Sequence, residues 1–412
     1  MPLVPAPPRR FLLFAQGNTP EVAPVLALGA ALHAAGHQAT LLAASTFHPL
    51  AESAGLAFAS IPQLNAPAAA GPLLDLPAEP VALSLLYERL SPLFAPLLDA
   101  VVARLPSHDA LVVSHLFPFF KNAAHAARRS FAVLVFNPDN IPFPHASPSG
   151  YLPPIWLPKF LHAAHHRRVW HARETQLDQI VQLHAGAALH AHRLGKFTGF
   201  LHAPADRALI AVSPALFPPP VAPPAPYLYT GFLRPLPPSP PAEQLAPVAA
   251  LARSGAPVTV LALDGPALTQ PEILPRLFAA WPPGLPLILR SDRPATIAPR
   301  PEIMFLPSAP LDELFSFATV VVHPGSAEST AAALFAGHAQ ILIPPRPSYW
   351  TKTLPALGVA SLLDPANWPE KLPAAVDAAL RTIARVRRVA ECAALVHSEN
   401  GPARTVAQLE KW

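Results

Sequence analysis

The sequence predicts an α/β protein with two doubly wound parallel sheets, and three observations lead to this class. Short apolar segments alternate with helical segments along the chain, which is the pattern of βα units. The alternation occurs twice, once before and once after a proline-dense segment at 217–243. The chain has 412 residues, enough for two domains of ordinary size. We therefore expect two domains joined by a linker.

The first series of strands begins close to the N-terminus. FLLFA at 11–15 is predicted as a buried strand, followed by the turn QGNTPE and a helix over about 22–35. Further apolar segments predict strands at 38–43, 56–61, 109–115 and 132–137, and a long helix is predicted over 156–196. Together these segments predict an N-terminal domain over 1–216.

The second series follows the linker at 217–243. Strands are predicted at 258–264, 285–291, 302–308, 319–325 and 340–345, with helices between them. We expect a C-terminal domain over 244–390 and a C-terminal helix over 391–412 that packs back toward the first domain. Two such domains place the carboxyl ends of both sheets on a cleft between them.

Composition excludes several classes of protein. The 58 prolines do not indicate collagen, because glycine is only 17 and the apolar segments keep their periodicity. Net charge is +4 without a basic run interleaved with aromatics, so we expect no nucleic-acid partner. A single cysteine, Cys392, suits a reducing cytoplasm. Apolar runs end before ~18 residues, so no transmembrane segment is expected; peripheral membrane contact and the oligomeric state stay open.

The segment VVVHPGSAEST at 320–330 has the layout of a phosphate cradle. An apolar strand runs into His323, then a tight turn, and then the start of a helix, whose N-terminal amides favour anions. Glu328 places a carboxylate in the first turn of that helix. At ~4 Å and an effective dielectric constant near 20, it would repel a phosphate by about 4 kcal/mol. Alternatively, Glu328 is a capping residue of an ordinary helix, turned toward solvent.

Three segments resemble the nucleotide-sugar-dependent glycosyltransferases of family 1, of the bacterial and sterol type. FLLFAQGNTPEVAPVLALGAALHAAGHQAT resembles their opening, G-S-x-G-D-x-x-P followed by L-A-L-G-x-x-L-x-x-x-G-H. FLPSAPLDELFSFATVVVHPGSAESTAAALFAGHAQILIPPRPSYWTKTLPALGVA at 305–360 resembles their donor-binding block, whose centre is V-V-H-H-G-G-A-G-T-T. SENGPARTVAQLE at 398–410 resembles their E-x-G-x-x-x-A ending. The resemblance spans nearly the whole chain. It implies the GT-B fold, in which two Rossmann-like domains face each other across a cleft.

The resemblance also implies a set of donor-binding residues, with His323 as the histidine that touches the donor phosphates. The set is Gly17, Asn18, Gly265, Ser308, His323, Gly325, Ser326, Ala327, Glu328, Ser329 and Arg346. Thr330 belongs to the same turn. The chain departs from the family at Pro324, Ser326 and Glu328, and PPRPSYW at 344–350 replaces a loop that contains Asp-Gln. Asp264 adds a carboxylate to the same region, unless it belongs to a simple Asp-Gly turn.

Two residues are candidate catalytic bases. Glu21 falls where sterol-type relatives carry a catalytic aspartate, and partial burial would raise its pKa toward that of a base. Its alternative role is that of a helix-start glutamate after Pro20. His115 follows the strand after which relatives often carry a second carboxylate, and its alternative is a packed core histidine.

Aromatic residues near the first domain's loops are candidates for the acceptor pocket. The resemblance implies that the segment after residue 150 shapes this pocket, and the candidates are Phe117, Phe143, Trp156, Phe160 and Trp170. The same segment carries His162, His165, His166 and His171 at helical spacing. Arginines flank these histidines without a cysteine or acid at motif spacing, so no metal is expected.

The leading hypothesis is a glycosyltransferase that moves a sugar from a nucleotide diphosphate, most simply a UDP-sugar, to a hydroxyl of a small lipophilic or aromatic acceptor. It requires no cofactor, since the nucleotide sugar is a co-substrate. The alternative is a catalytically inactive relative that serves as a binding or auxiliary subunit. A third hypothesis is a transferase with a changed donor or reaction.

Overall fold

The structure of the protein is a computed structural model. It describes residues 7–17, 19–65, 90–115, 117–141, 156–194, 206–219, 227–234, 243–263, 268, 270–291, 300–306, 309–345 and 347–412. Two compact units are present. The first comprises Met1–Pro235 together with Glu399–Trp412, and the second comprises Leu236–Ser398.

The first unit contains a seven-stranded parallel sheet. Its strands are β1 (Arg10–Phe14), β2 (Gln38–Ala43), β3 (Ala57–Ser60), β4 (Ala110–Ser114), β5 (Ser130–Val135), β6 (Arg207–Ile210) and β7 (Tyr227–Tyr229). They lie in the order β3-β2-β1-β4-β5-β6-β7, so the winding direction reverses between β1 and β4. Every residue of β4 is buried, as expected for a strand covered on both faces.

Helices cover this sheet and are supplied by both ends of the chain. They are α1 (Thr19–Ala34), α2 (His48–Ser53), α3 (Phe94–Arg104), α4 (Lys121–Ala126), α5 (His162–Ala191) and, at the C-terminus, α13 (Gly401–Leu409). The 30-residue helix α5 packs against α3, and α13 packs against α1.

The second unit contains a six-stranded parallel sheet. Its strands are β8 (Thr259–Leu261), β9 (Leu287–Leu289), β10 (Ile303–Phe305), β11 (Val320–His323), β12 (Ala339–Leu342) and β13 (Ala360–Leu362). Its helices are α6 (Ala246–Arg253), α7 (Ile273–Ala280), α8 (Leu311–Ser316), α9 (Ala327–Ala336), α10 (Tyr349–Ala356), α11 (Trp368–Arg381) and α12 (Ile383–Glu399), of which the last residue belongs to the first unit. The strand order is β10-β9-β8-β11-β12-β13.

Both faces of the second sheet are packed. Val320 and Val322 lie in a buried cluster with Trp281 and Trp368, whereas Val321 lies in a separate cluster with Phe315. Alternate side chains of β11 thus pack into the hydrophobic clusters on opposite faces of the sheet, because successive side chains of a strand point to opposite faces. The predicted class, two doubly wound parallel α/β sheets, is confirmed.

Some boundaries differ from those expected from the sequence. Strands β6, β7 and β13 were not among the predicted segments, and β7 lies inside the segment 217–243 that was interpreted as a linker. A proline-flanked strand is tolerated there because β7 is at the edge of its sheet. The first unit therefore extends beyond residue 216, and the remainder of the proline-dense segment at 220–226 and 235–242 lies outside the described residues. Among the helices described, none is long and apolar enough to cross a membrane.

Candidate functional site

The start of α9 lies at the switch point of the second sheet. The strand order reverses between β8 and β11, and β11 leads through Pro324, Gly325 and Ser326 directly into α9. In open α/β sheets, ligands bind outside the carboxyl ends of the strands at such a reversal. The amides at the start of this ten-residue helix are therefore at the position where an anion would be bound.

Local sequence explains the sharp passage from strand to helix. Gly325 adopts φ of +78°, a left-handed conformation that glycine allows without strain. Ser326 is the N-cap of α9, and its hydroxyl accepts a hydrogen bond from the Ser329 N–H at 3.2 Å. The Thr330 N–H donates to the Ser326 carbonyl at 2.9 Å, which begins the helical hydrogen-bond pattern.

His323 is fully buried and bonded within the second unit. The Gly325 N–H donates to its Nδ1 at 3.2 Å, and the Ser329 Oγ lies 2.9 Å from the same atom. Nδ1 is thus an acceptor, which leaves Nε2–H as the donor to the Gln340 Oε1 at 3.1 Å. Burial lowers the pKa of His323 to about 4, although the bond to Gln340 opposes that shift. The imidazole is neutral at pH 7.

The expected donor-binding turn divides into two groups. His323, Ser329 and Thr330 are almost completely buried, and both His323 ring nitrogens are bonded to the protein. Their contact with donor phosphates stays a prediction. Ser326, Ala327 and Glu328 retain exposed surface. The part of the turn accessible to a ligand is consequently the capped helix start, with Glu328 in its first turn.

The loop that replaces the Asp-Gln loop also uses its polar groups internally. The Ser348 hydroxyl accepts from the Thr351 N–H at 3.3 Å, and the Ser348 N–H donates to the Thr351 Oγ1 at 2.8 Å. This reciprocal pair is a capping box at the start of α10. Several other expected donor-site residues lie outside the described residues, namely Asn18, Asp264, Gly265, Ser308 and Arg346.

The switch point of the first unit brings the two candidate bases to one sheet edge. β1 and β4 are neighbouring parallel strands, so the segments that follow Phe14 and Ser114 emerge at the same edge. Glu21 lies in the first turn of α1 and retains exposed surface. Its side chain folds over Gly17, where an added Cβ would lie only 2.9 Å from the Glu21 Cβ.

His115 is buried at that edge, in contrast to Glu21. Only 3% of its surface is exposed, its backbone N–H donates to the Leu134 carbonyl, and its ring packs edge-on against Phe136. This environment matches a packed core histidine. Of the two candidate bases, Glu21 is the one with surface that an acceptor could reach.

The candidate acceptor side chains that the structure describes, Phe117, Trp156 and Phe160, differ widely in exposure. Phe117 is a core residue with no exposed surface, and its ring contacts the Phe14 and Phe120 rings. Trp156 and Phe160 are instead 79% and 80% exposed, and their place in the acceptor pocket stays a prediction. Trp170 belongs to α5. Phe143 lies outside the described residues.

The histidines of α5 do not form a ligand set. His166 is buried. The His162 Nε2 lies 3.0 Å from the Leu157 carbonyl oxygen, so this nitrogen is engaged in a hydrogen bond and does not serve as a metal ligand. Within the described ranges there is no group of three or more histidines, cysteines or acids that could hold a metal ion.

Glu399 is a buried acid to which sequence reasoning assigned no role. It lies in the first unit, where the Ser213 hydroxyl donates to its Oε1 at 2.6 Å and the Ala215 N–H donates at 3.3 Å. Burial raises the pKa of the Glu399 carboxyl, and the bonds from Ser213 and Ala215 and the nearby Arg404 oppose the shift. The sequence signal that could have identified Glu399 is the resemblance of SENGPARTVAQLE to the E-x-G ending of the relatives, because its glutamate is Glu399.

Comparison of structures gives full-length similarity to solved glycosyltransferases. The calicheamicin glycosyltransferase CalG4 matches with a TM-score of 0.66 and 17% identity, over 98% of each chain. The glycosyltransferase SsfS6 of Streptomyces sp. SF2575, solved in complex with thymidine diphosphate, matches with a TM-score of 0.61 and 17% identity, over 98% of this chain and 100% of that one.

A third match is the spinosyn rhamnosyltransferase SpnG in complex with spinosyn aglycone. Its TM-score is 0.61 at 16% identity, over 97% of this chain and 100% of that one. No family model matches the sequence, and no curated protein matches it. At these identities the similarity concerns the fold. The two parallel sheets, their strand orders and the full-length matches together show that the chain has the GT-B fold of these glycosyltransferases.

Proposed function

We propose that this protein is a glycosyltransferase that moves a sugar from a nucleoside diphosphate to a hydroxyl of a small lipophilic or aromatic acceptor. The observation that carries the proposal is the start of α9, a Ser326-capped helix N-terminus at the switch point of the second sheet. Supporting it, structural neighbours were solved with thymidine diphosphate and with an aglycone. A UDP-sugar is the proposed donor, and a TDP-sugar is the first alternative to test.

In this proposal the helix N-terminus stabilises the departing diphosphate. The aligned peptide dipoles of α9 place roughly half a positive charge at its start, where diphosphate oxygens accept bonds from backbone N–H groups. His323 acts through the turn, because its neutral ring accepts the Gly325 N–H and thereby holds the backbone before the helix. It is a positioning residue for the donor.

The acceptor hydroxyl requires a base, and we assign this role to Glu21. The residue lies in the first turn of α1, at the carboxyl edge of the first sheet, and it keeps exposed surface. A carboxylate there can take the hydroxyl proton as the oxygen attacks the anomeric carbon and the bond to the diphosphate breaks.

Replacing Glu21 with glutamine should lower kcat by about 100-fold or more without weakening donor binding.

Substitution of Glu328 tests the proposed donor site directly. Because its carboxylate lies in the first turn of α9, removal of that charge in Glu328→Gln should tighten UDP binding at least about tenfold. Calorimetric titration with UDP and with TDP measures the affinity. Glu391→Gln, which removes an exposed acid of α12, is the matched control and should leave affinity unchanged. Equal affinity of wild-type protein and Glu328→Gln for both nucleotides would contradict the electrostatic role.

A second candidate function is that of a catalytically inactive binding or auxiliary subunit. It is favoured by the carboxylate of Glu328 at the helix start and by the internal use of His323 and Ser348. Mass spectrometry of reactions with a panel of nucleotide sugars and hydroxyl acceptors separates the two. A glycosylated product that disappears in Glu21→Gln supports the transferase. Acceptor binding without any product from any donor supports the auxiliary role.

A further inference from the structure

We propose that an exposed aromatic and basic surface at the start of α5 docks on an anionic membrane. This surface, named here the α5 patch, consists of Trp156, Lys159, Phe160, Leu161, Arg167 and Arg168. It lies within the first unit and does not depend on the glycosyltransferase assignment. Its occupant is proposed to be the headgroup region of a lipid bilayer that carries negative charge.

The apolar part of the α5 patch is unusually exposed. Trp156 and Phe160 are 79% and 80% exposed, and Leu161 is 39% exposed. Scattered single apolar residues on a surface are ordinary, whereas here two large aromatic side chains and a leucine are exposed within six residues. Tryptophan and other aromatic residues are the types that favour the membrane–water interface.

The basic part of the patch lies on the same side of the helical segment. Phe160 is in the single turn Lys159–Leu161 that leads directly into α5. Residues 164, 167, 168 and 171 follow it at spacings of four, seven, eight and eleven, and all four are exposed. Such spacings place side chains on one helical face. Residues 164, 167, 168 and 171 therefore share one exposed face of α5, which begins directly after Phe160 and Leu161.

The charge of the patch is not neutralised. No aspartate or glutamate occurs in the sequence between Asp139 and Glu174. Lys159, Arg167 and Arg168 are exposed, and no ion pair joins them to an acid in the described part of the chain. The local field is thus positive around an apolar centre, which is the combination that anionic lipid surfaces attract.

A second exposed apolar surface, on α12, lacks this combination. Ile383 and Val386 are 85% and 54% exposed there, but two arginines close by, Arg387 and Arg388, are paired with an acid. Arg387 and Arg388 both bond to Glu391. The pairing of its charge therefore makes the surface on α12 a weaker lipid-binding candidate than the α5 patch.

A second copy of the chain is a less suitable occupant of the α5 patch. In a two-fold symmetric dimer the same patch would face itself, and its cations would approach their own copies. Like charges at close range oppose such an interface, whereas anionic headgroups neutralise all three cations together. Charge complementarity thus selects the membrane.

Flotation with vesicles tests the proposal. Wild-type protein should float with vesicles of phosphatidylcholine and phosphatidylserine, should bind phosphatidylcholine vesicles far less, and should dissociate as salt rises. The triple variant Lys159→Gln, Arg167→Gln, Arg168→Gln should lose on the order of 100-fold in partitioning. The double variant Trp156→Ser, Phe160→Ser should also lose binding, with retained circular dichroism showing that it is folded.

Leu183→Ser is the matched control, because Leu183 is 78% exposed on the same helix but lies outside the α5 patch. It should bind anionic vesicles like the wild type. The proposal is overturned if wild-type protein does not float with anionic vesicles, if it binds both vesicle types equally, or if Leu183→Ser reduces binding as much as the patch variants. Concentration-dependent dimers abolished by Phe160→Ser, without flotation, would assign the patch to a second copy.

Discussion

His323 is the single residue that best explains the turn before α9, because its ring is buried and both ring nitrogens are hydrogen-bonded. Buried polar groups are tolerated when their donors and acceptors are satisfied. Here Gln340, itself buried in β12, accepts from Nε2–H, while Gly325 donates to Nδ1. The strand therefore specifies one tautomer, and that tautomer fixes the turn before α9. The imidazole contributes hydrogen-bond geometry to the site and no positive charge at pH 7.

This burial predicts a pH dependence of stability. The folded pKa of His323 is about 4, whereas an exposed histidine has a pKa near 6.5. Between these values the unfolded chain binds the additional proton, so His323 should reduce the free energy of unfolding by about 3 kcal/mol as pH falls from 7 to 4. Urea denaturation across this range measures the effect.

His323→Asn removes the titrating group and keeps an acceptor near the Nδ1 position, so its stability should fall less steeply over the same pH interval. His184→Asn, at an exposed site of α5, is the matched control and should keep the wild-type slope. An unchanged slope in His323→Asn would show that the ring becomes protonated without cost in the folded protein.

Residues that depend on a neighbouring strand were the hardest to predict from the sequence. The apolar run of β11 correctly predicted the strand, but the partner of the His323 Nε2 is Gln340 on β12, and such a pairing requires the tertiary structure. A polar residue inside the apolar segment QILIPP was the only signal. Glu328, by contrast, was predicted correctly in the first turn of its helix, because that position follows from local sequence alone.

At the scale of elements, the junction between α12 and α13 is tightly constrained. Asn400 adopts a left-handed conformation, with φ of +47°, and Gly401 begins α13 directly afterwards. A Cβ at Gly401 would lie 2.2 Å from the Phe232 carbonyl oxygen. The preceding Glu399 is held by Ser213. The Glu-Asn-Gly sequence thus ends one helix, bonds to the strand region of the first sheet and starts the next helix.

Gly401→Ala should therefore be strongly destabilising. The added methyl group meets backbone atoms that cannot rotate away, so we expect a loss of about 3 kcal/mol in the free energy of unfolding. Gly186→Ala in α5 is the control, because its Cβ would meet nothing within 4 Å, and it should be neutral or stabilising by up to about 1 kcal/mol. Chemical denaturation of both variants measures this, and equal stabilities would refute the close approach at Gly401.

Strands with continuous apolar sequence were predicted well, whereas β6, β7 and β13 were not predicted. β1, β2 and β4 consist mostly of buried apolar residues, which favours a strand, whereas the three residues of β7 follow Pro226 in a proline-dense segment. Proline composition favoured an extended linker over a strand. Tyr227–Tyr229 form a strand because they pair with the open edge of β6. That edge is a feature of the tertiary structure and cannot be read from the local sequence.

At the scale of the whole molecule, the chain leaves the first unit and returns to it. Residues from Glu399 to Trp412 belong to the first unit, although more than 160 residues of the second unit separate them from Pro235. Their contacts are specific. Trp412 stacks on Phe11 with ring centroids 6.4 Å apart, Arg9 donates to the Leu409 carbonyl at 3.3 Å, and the His37 Nε2 lies 3.2 Å from the Glu410 Oε1.

Deletion of residues 400–412 should therefore loosen the first unit and spare the second. Removing α13 exposes the α1 surface against which it packs and the Phe11 ring of β1, so amide hydrogen exchange should accelerate in β1, α1 and β2. Exchange in β8, β11 and β12 should stay at the wild-type rate.

Ile383→Ser, at an 85% exposed position of α12, is the control and should change exchange in neither sheet. Equal acceleration in both sheets would mean that the units unfold as one cooperative body, and protection of β1 after deletion would mean that the C-terminal segment contributes no stability to the sheet it covers.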